Sequence, residues 1–355
     1  MDSAQAIERE LQKYNTYRAK GRRLILVLFF MLIALIAISA SVGSSSVNLS
    51  TVLKVLAGFF SDRAEISDMQ RRIVMDIRLP RVFCAVLSGA SLSMAGLVMQ
   101  GIFQNPLVSP YTLGVSNGAS FGASLAIVLS AKLSILGFGY YLTPVFAFFF
   151  SILTMVLVYT ISKLTNHSNK TLILSGVAIG YLFSALVSAL KYISDVHSLP
   201  ELVFWSMGSL SGLRWNVVGL LLTAFSICFV VCMINGWNLN VMAMGCEEAS
   251  SLGVDYKKMQ ILTFVVTTVL TSTSVAFTGV IGFVGLVSPH VTRMLIGSDY
   301  RYCIPASALM GALLLLLSDT LARTMFSPVE IPVGIITSFI GVPFFLYLVI
   351  RRRKI

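Results

Sequence analysis

The chain has 355 residues, of which 56% are hydrophobic and only 12% charged, and its mean hydropathy is +0.86. This composition excludes a water-soluble globular protein and indicates a fold in lipid, where an α-helix satisfies its backbone hydrogen bonds within one segment. The net charge of +11 does not indicate a nucleic-acid binder, because the basic residues form short clusters beside apolar blocks and so report membrane topology.

Ten apolar blocks fill the chain from residue 24 to residue 350, and most have the length that an α-helix needs to cross a bilayer. The gaps between them are too short to hold a separate folded unit, which predicts a single membrane domain over residues 24–350. In chain order, the predicted spans are residues 24–42, 81–103, 113–131, 142–164, 172–193, 217–234, 259–280, 281–296, 304–322 and 333–350.

Basic clusters flank the first and the last span, within residues 18–23 and 351–354. Because Lys and Arg are retained on the cytoplasmic side, both termini are predicted to be cytoplasmic, which requires an even number of spans. Residues 1–23 would then be a cytoplasmic segment and residues 351–355 a basic cytoplasmic tail. Small residues at 39–41 leave a cleaved signal peptide as an alternative, whereas the polar leader favours an uncleaved first span.

Two connections are predicted to lie outside. Residues 43–76 contain an amphipathic stretch, 48–60, which is expected along the membrane surface, and residues 194–216 are expected to contain a short helix at 200–207.

Two connections are predicted to be cytoplasmic, namely the turn at residues 163–170 and the longer loop at residues 235–258. The longer loop is charged and has no apolar run of spanning length, so we expect a soluble partner to bind there. The span 281–296 is short and contains Pro289, which predicts that it is tilted, broken or partly re-entrant.

Small residues recur at helical spacing in the third and fifth spans. They are Gly114, Gly118 and Gly122 in the third, and Gly176, Gly180, Ser184 and Ser188 in the fifth. Such stripes let helices approach closely, but a permeation pathway needs small residues too, and both interpretations stay open at this point.

The sequence contains no catalytic constellation. No GxxxxGK[ST] phosphate-binding loop occurs, so the chain is not expected to bind and split a nucleotide by itself. The three histidines and five cysteines are too scattered to predict a metal site, a disulfide framework or a nucleophile with its base. Ionisable groups are nearly missing from the apolar blocks. Asp319 and Arg323 lie near one end of the ninth span and, four residues apart, can pair on one helix face.

Five sequence strings, in the same order as in one known family, are distributed along the chain from residue 78 to residue 349. They are RLPRVFCAVLSGASLSMAGLVMQGIFQNPLVSPYTLGVSNGAS, FWSMGSLSGLRW, GVIGFVGLVSPHVTRML, DYRYCIPASALMGALLLLLSDTLAR and PVEIPVGIITSFIGVPFFLYLV. With these strings the chain resembles the FecCD family, the membrane permeases of ATP-binding-cassette (ABC) importers for ferric siderophores, haem and cobalamin.

The resemblance implies an all-α permease of the type II ABC importer architecture, with ten helices, in the cell membrane of a prokaryote. It implies a homodimer, or a dimer with a close paralogue, around a central pathway. Two cytoplasmic ATP-binding subunits would hold ATP and Mg, and a substrate-binding protein would dock outside. The chain itself is expected to bind no cofactor and no metal, and to have no catalytic residue.

The resemblance also implies three sets of site residues. The cytoplasmic loop would form short coupling helices in a cleft of the ATPase, with Glu247, Ser251, Leu252 and Gly253 as contacts. Arginines of the RLPR string and of the ninth span would pair with glutamates of the binding protein, namely Arg78, Arg81 and Arg323. Candidate pathway residues are Ser175, Val177, Gly180 and Ser184 on the fifth span.

The resemblance defines the substrate class less narrowly than it defines the architecture. A ferric siderophore is the leading expectation within the family, with haem and cobalamin or another corrinoid as alternatives. An ion-coupled secondary transporter is an alternative of another class and predicts a mid-membrane carboxylate that the sequence does not offer. A membrane-embedded enzyme would need a clustered catalytic set within the spans.

Overall fold

The structure is a computed structural model that describes residues 3–43, 48–57, 67–133, 139–164 and 169–352. Parts of four predicted segments lie outside these ranges, namely residues 1–2 of the N-terminal segment, 44–47 and 58–66 of the outer connection with its amphipathic stretch, 165–168 of the cytoplasmic turn and 353–355 of the basic tail. All regular structure in the described ranges is helical. The helices are α1 Ser3–Ser41, α2 Leu49–Ala57, α3 Asp68–Arg72, α4 Leu79–Ile102, α5 Val115–Leu133, α6 Gly139–Leu164, α7 Asn169–Ile193, α8 Ser198–Met207, α9 Trp215–Ile234, α10 Gly236–Met242, α11 Cys246–Ser251, α12 Tyr256–Thr278, α13 Val284–Ile296, α14 Tyr300–Thr324 and α15 Val333–Arg352.

Each of the ten predicted spans coincides with a helix of the described chain, and the protein is a multi-pass membrane protein. Seven helices of the described residues are long and apolar enough to cross a bilayer, over 16–41, 68–102, 141–164, 170–193, 215–234, 256–278 and 300–324. Val115–Ser130 and Val333–Tyr347 are apolar but shorter, and α13 has only 13 residues. The count of ten spans and the cytoplasmic side of the termini therefore stay predictions.

The second span begins earlier than the sequence indicates. A π-helical segment, Ile73–Arg78, joins α3 to α4, so one continuous helix runs from residue 68 to residue 102. The predicted start is residue 81, and Pro80 just before it is a residue that usually occupies the first turn of a helix. Here a π turn precedes the proline, and such a turn shifts the hydrogen-bond register around a residue that has no N–H to donate.

Short polar caps set several helix ends. Asp255 accepts from the backbone N–H of Lys258 at 3.1 Å and begins α12, and Asp299 accepts from the N–H of Arg301 at 3.0 Å and begins α14. Asp195 accepts from the N–H of Ser198 at 2.7 Å, which fixes the start of α8 and confirms the short helix predicted near residue 200.

Helix α4 lies at the centre of the bundle and is buried along nearly its whole length. It packs against α9, α12, α13 and α14, and two of these contacts depend on glycine. A Cβ atom on Gly96 would collide with the carbonyl oxygen of Gly285 in α13, and a Cβ on Gly89 would collide with that of Gly311 in α14. These helices therefore touch backbone to backbone, as small residues permit in membranes.

The glycines of the third and fifth predicted spans also serve packing, which confirms one of the two interpretations left open above. A Cβ on Gly114 would lie 2.7 Å from the carbonyl oxygen of Gly176, and one on Gly118 or Gly122 would collide with α6. The amide of Asn117 donates to the carbonyl of Gly180 at 2.9 Å and locks α5 to α7.

We expect Gly96→Val to lower the free energy of unfolding by at least about 3 kcal/mol, because the two helix backbones must separate to admit the side chain. Thermal unfolding of the purified protein in detergent measures the change. The matched control is Gly219→Val in α9, where no atom lies within 4 Å of the added Cβ. Equal unfolding temperatures for the two variants would contradict the backbone contact.

Candidate coupling and docking surfaces

The loop between α9 and α12 contains two short helices, α10 and α11, as expected for residues 235–258. Helix α11 ends in a Schellman motif, in which the N–H of Gly253 donates to Ser250 O at 3.1 Å and the N–H of Val254 donates to Ala249 O at 2.9 Å. Gly253 has φ +77, a backbone conformation that favours glycine. The motif turns the chain back into the bundle, since Ala249 is buried and Val254 packs on the core.

The predicted coupling residues lie together on the exposed side of this turn. The side chain of Leu252 is 61% exposed, between α11 and the charged residues that follow it. Glu247 and Ser251 are exposed one helical turn apart, and the Ser251 hydroxyl donates to Glu247 O at 2.9 Å. An exposed leucine at the tip of a rigid turn is a suitable anchor for a partner protein.

Charges surround this leucine. The backbone N–H of Lys258 lowers the pKa of Asp255, and the Lys258 ammonium adds an ion pair at 3.1 Å. Asp255 is therefore ionised at neutral pH. Leu252 is the apolar centre of a polar loop surface, which is the arrangement of a binding hot spot with a polar rim.

The arginines of the RLPR string meet the ninth predicted span in what we call the arginine cluster, formed by Arg78, Arg81, Asp319, Arg323 and Glu330. Arg81 donates to Asp319 at 2.9 Å and to Glu330 at 2.8 Å. The Arg323 Nε lies 3.1 Å from Asp319 Oδ2, which confirms the predicted pair within α14. Asp319 is fully buried and holds two guanidinium groups.

The cluster also caps the C-terminal end of α1. Arg78 donates to Ala40 O at 2.7 Å and to Ser41 O at 2.9 Å, and Arg323 donates to Ser39 O at 3.2 Å. Cations are favourable at a helix C-terminus, where carbonyl oxygens lack partners. Sequence reasoning missed these bonds, because they join residues more than thirty-five positions apart and their acceptors are backbone atoms.

The burial of the three arginines changes how they can serve as docking residues. Arg78, Arg81 and Arg323 are only 4%, 8% and 6% exposed, so they do not present free edges to solvent. They line a cavity of about 180 Å³, together with Gly43, Pro328 and Glu330. Glu330 is the accessible member of the cluster, with 43% of its side chain exposed.

The four candidate pathway residues of α7 divide between two faces. Val177 is 39% exposed, and Ser184, seven positions later, is exposed on the same side. Gly180 and Ser175 are buried instead. Gly180 packs against α5, and the Ser175 hydroxyl donates to Leu172 O at 3.0 Å.

The described residues contain no group of three or more His, Cys, Asp or Glu that could hold a metal ion. The FecCD transport family matches residues 31–351.

The chain belongs to the FecCD transport family. The relatives described next align with this chain over most of their length. The hemin transport system permease HmuU of Yersinia pestis is 39% identical over 95% of this chain and 98% of its own. The molybdate import permease MolB of Haemophilus influenzae is 36% identical over 94% and 96%. The iron(3+)-hydroxamate import permease FhuB of Bacillus subtilis is 33% identical over 96% and 86%.

A solved structure, described as an inward-facing conformation of an ABC transporter assigned to the metal-chelate type, has the same fold. It superposes with a TM-score of 0.80 at 35% identity and covers 93% of this chain and 99% of its own. As a FecCD protein, the chain is a transport permease subunit of the ABC class, and the resemblance drawn from the sequence strings is confirmed.

Proposed function

We propose that this FecCD protein is half of the membrane channel of an importer for a metal chelate, and that separate ATP-binding subunits supply the energy. The observation that carries the proposal is the rigid turn at Leu252, an exposed apolar anchor on a polar loop of an ABC-class permease. Helix α11 would sit in a cleft of the ATPase, with Glu247 and Ser251 beside the leucine. ATP and Mg would be bound by that subunit.

We propose that the opposite end of the bundle receives the substrate-binding protein at the arginine cluster. Because Arg81 is paired internally, docking would be an exchange in which a receptor carboxylate replaces Glu330 as the second partner of Arg81. A guanidinium offers five donors and keeps its charge, so it can change carboxylates without losing hydrogen bonds. Asp319 would keep Arg81 and Arg323 in place during the exchange.

The pathway would lie between two permease copies, or between this chain and a paralogue, with the exposed face of α7 as its wall. Val177 and Ser184 are on that face, whereas Ser175 is buried and Gly180 packs against α5. The wall is apolar with scattered hydroxyl groups, which suits a large chelate that has to pass without being retained.

For the substrate we propose a ferric siderophore, with hemin as the second candidate because the relative HmuU is a hemin permease. The wall of α7 does not distinguish the two, since it carries no charged group along Val177 and Ser184. Selection would then rest with the binding protein.

Growth of a deletion strain on single metal sources tests the substrate. We expect a ferric hydroxamate siderophore to be the source that requires this gene, because the relative FhuB is an iron(3+)-hydroxamate permease. The parent strain grown on the same source is the control. A requirement confined to hemin, cobalamin or molybdate would replace the siderophore assignment and leave the permease proposal intact.

A further inference from the structure

The coupling loop is hydrogen-bonded to the start of α14 through one side chain. The amide of Asn240 in α10 donates to Asp299 Oδ1 at 3.0 Å, and its oxygen accepts from the backbone N–H of Tyr300 at 2.8 Å. Burial would raise the pKa of Asp299, but hydrogen bonds from Arg301 and Asn240 outweigh it and lower that pKa. Asn240 thus forms hydrogen bonds with both the capping carboxylate of Asp299 and the backbone N–H of Tyr300 at the start of α14.

Tyr300 continues this connection into the bundle. It is 1% exposed, and its hydroxyl donates to Leu97 O of α4 at 3.1 Å. Arg293 of α13 donates to the same hydroxyl at 3.2 Å, to Leu97 O at 2.9 Å and to the side-chain oxygen of Gln100 at 3.1 Å. A Cβ on Gly101 would collide with the Tyr300 hydroxyl, so α4 is shaped to receive it. The coupling loop, α4, α13 and α14 therefore meet at one polar junction.

Helices α4 and α14 are fastened along their whole length. Beyond the junction, the Ser93 hydroxyl lies 2.7 Å from Ser307 O, and Gly89 and Gly311 bring the two backbones into contact. At the far end, Arg81 of α4 is paired with Asp319 of α14. The two helices are thus joined by polar contacts at both ends and by a close backbone contact between them. We infer that they form one stiff unit, which extends from the coupling loop to the arginine cluster.

We propose that Asn240 is the positioning residue through which the coupling loop moves α4 and α14 together, so that ATPase motion reaches the receptor face. This rests on the proposed function. Helix α11 would carry the ATPase contact, and α10 would transfer its displacement through Asn240 to the N-terminus of α14. Tyr300 would pass it to α4 and α13. Asn240 itself would touch neither nucleotide nor substrate.

The test uses the full assembly of permease, ATPase and binding protein in proteoliposomes, and measures radiolabelled ferric hydroxamate or hemin imported per ATP hydrolysed. Normalisation to assembled complex removes effects on folding alone. We expect Asn240→Ala and Tyr300→Phe each to lower this ratio about tenfold. The double variant should be no worse than the more impaired single variant, because both changes cut one connection. The matched control is Asn238→Ala, whose side chain bonds to Asn235 within the loop region and should keep the ratio within about twofold.

A wild-type ratio for Asn240→Ala, or a double variant whose loss is the product of the two single losses, would overturn the proposal. Should Asn240→Ala fail to assemble, Tyr300→Phe decides alone, because it removes one hydroxyl, and a normal ratio contradicts the connection. Failure of the proposed function looks different. In that case the wild-type assembly itself would import none of ferric hydroxamate, hemin, cobalamin and molybdate in the presence of ATP.

Discussion

Replacing Leu252 by aspartate is expected to abolish ATP-driven uptake while the protein remains inserted in the membrane. Leu252 is 61% exposed and is not part of the buried core, so the change has little effect on the fold. At the ATPase it would place a charge where an apolar anchor is needed. Loss of a hot-spot residue weakens binding by at least about 2 kcal/mol, which is roughly thirtyfold in affinity.

The measurement is uptake by cells that express the variant, together with co-purification of the ATPase. Leu252→Met is the matched control, since it keeps an apolar side chain of similar volume and should retain most uptake. Membrane levels of both variants are compared first. Wild-type uptake and a co-purified ATPase for Leu252→Asp would remove the coupling surface from α11.

Replacing Asp319 by alanine is expected to have the largest effect on stability. Asp319 is fully buried and pairs with Arg81 and Arg323, so its removal leaves two buried guanidinium groups without their shared carboxylate. Breaking a buried ion pair from one side costs about 3–5 kcal/mol, because the remaining charge is uncompensated. The C-terminal end of α1, which Arg323 holds, should loosen as well.

Thermal unfolding in detergent measures this loss, and Glu330→Ala is the control because Glu330 is 43% exposed and its pair with Arg81 is partly solvated. A second comparison separates charge from packing. The double variant Arg81→Met with Asp319→Leu should be more stable than Asp319→Ala, since it leaves one buried guanidinium group without Asp319 rather than two, and Glu330 is solvated. If Asp319→Ala unfolded at the wild-type temperature, Asp319 would not be the support of the cluster.

The helical class and the family could be predicted from sequence because both depend on local information. Apolar length alone locates the helices, and the RLPR and LSDTLAR strings are short, contiguous and specific. The turn at Gly253 was predictable for the same reason, since a glycine after a short helix is a local signal for a C-terminal cap.

Long-range partners could not be predicted in this way. Arg81 and Asp319 are 238 positions apart, and nothing in either string indicates that they pair. From the sequence, Asp319 is expected to pair with Arg323 alone, and the arginines are expected to pair with a partner protein outside. Charged side chains at the ends of apolar spans are buried only when paired. This rule would have indicated that the arginines need partners within the chain if they are buried.

The side of α7 that each candidate pathway residue faces could not be predicted from the sequence either. Ser175, Val177, Gly180 and Ser184 all lie on one span, but helical geometry alone does not say which side faces a neighbour. The choice depends on Gly114, just before α5, where the backbone comes close to that of α7 at Gly176 and Gly180. Packing partners thus decide which small residues form contacts and which remain on the open face.

The account depends on a permease that does no work by itself, and one measurement in proteoliposomes tests this directly. The purified chain is reconstituted alone, or with its ATPase and binding protein, and accumulation of ferric hydroxamate or hemin is followed with and without ATP and with a proton or sodium gradient. We expect accumulation only for the full assembly with ATP. Uphill accumulation by the chain alone, driven by an ion gradient, would contradict the account and identify a secondary transporter.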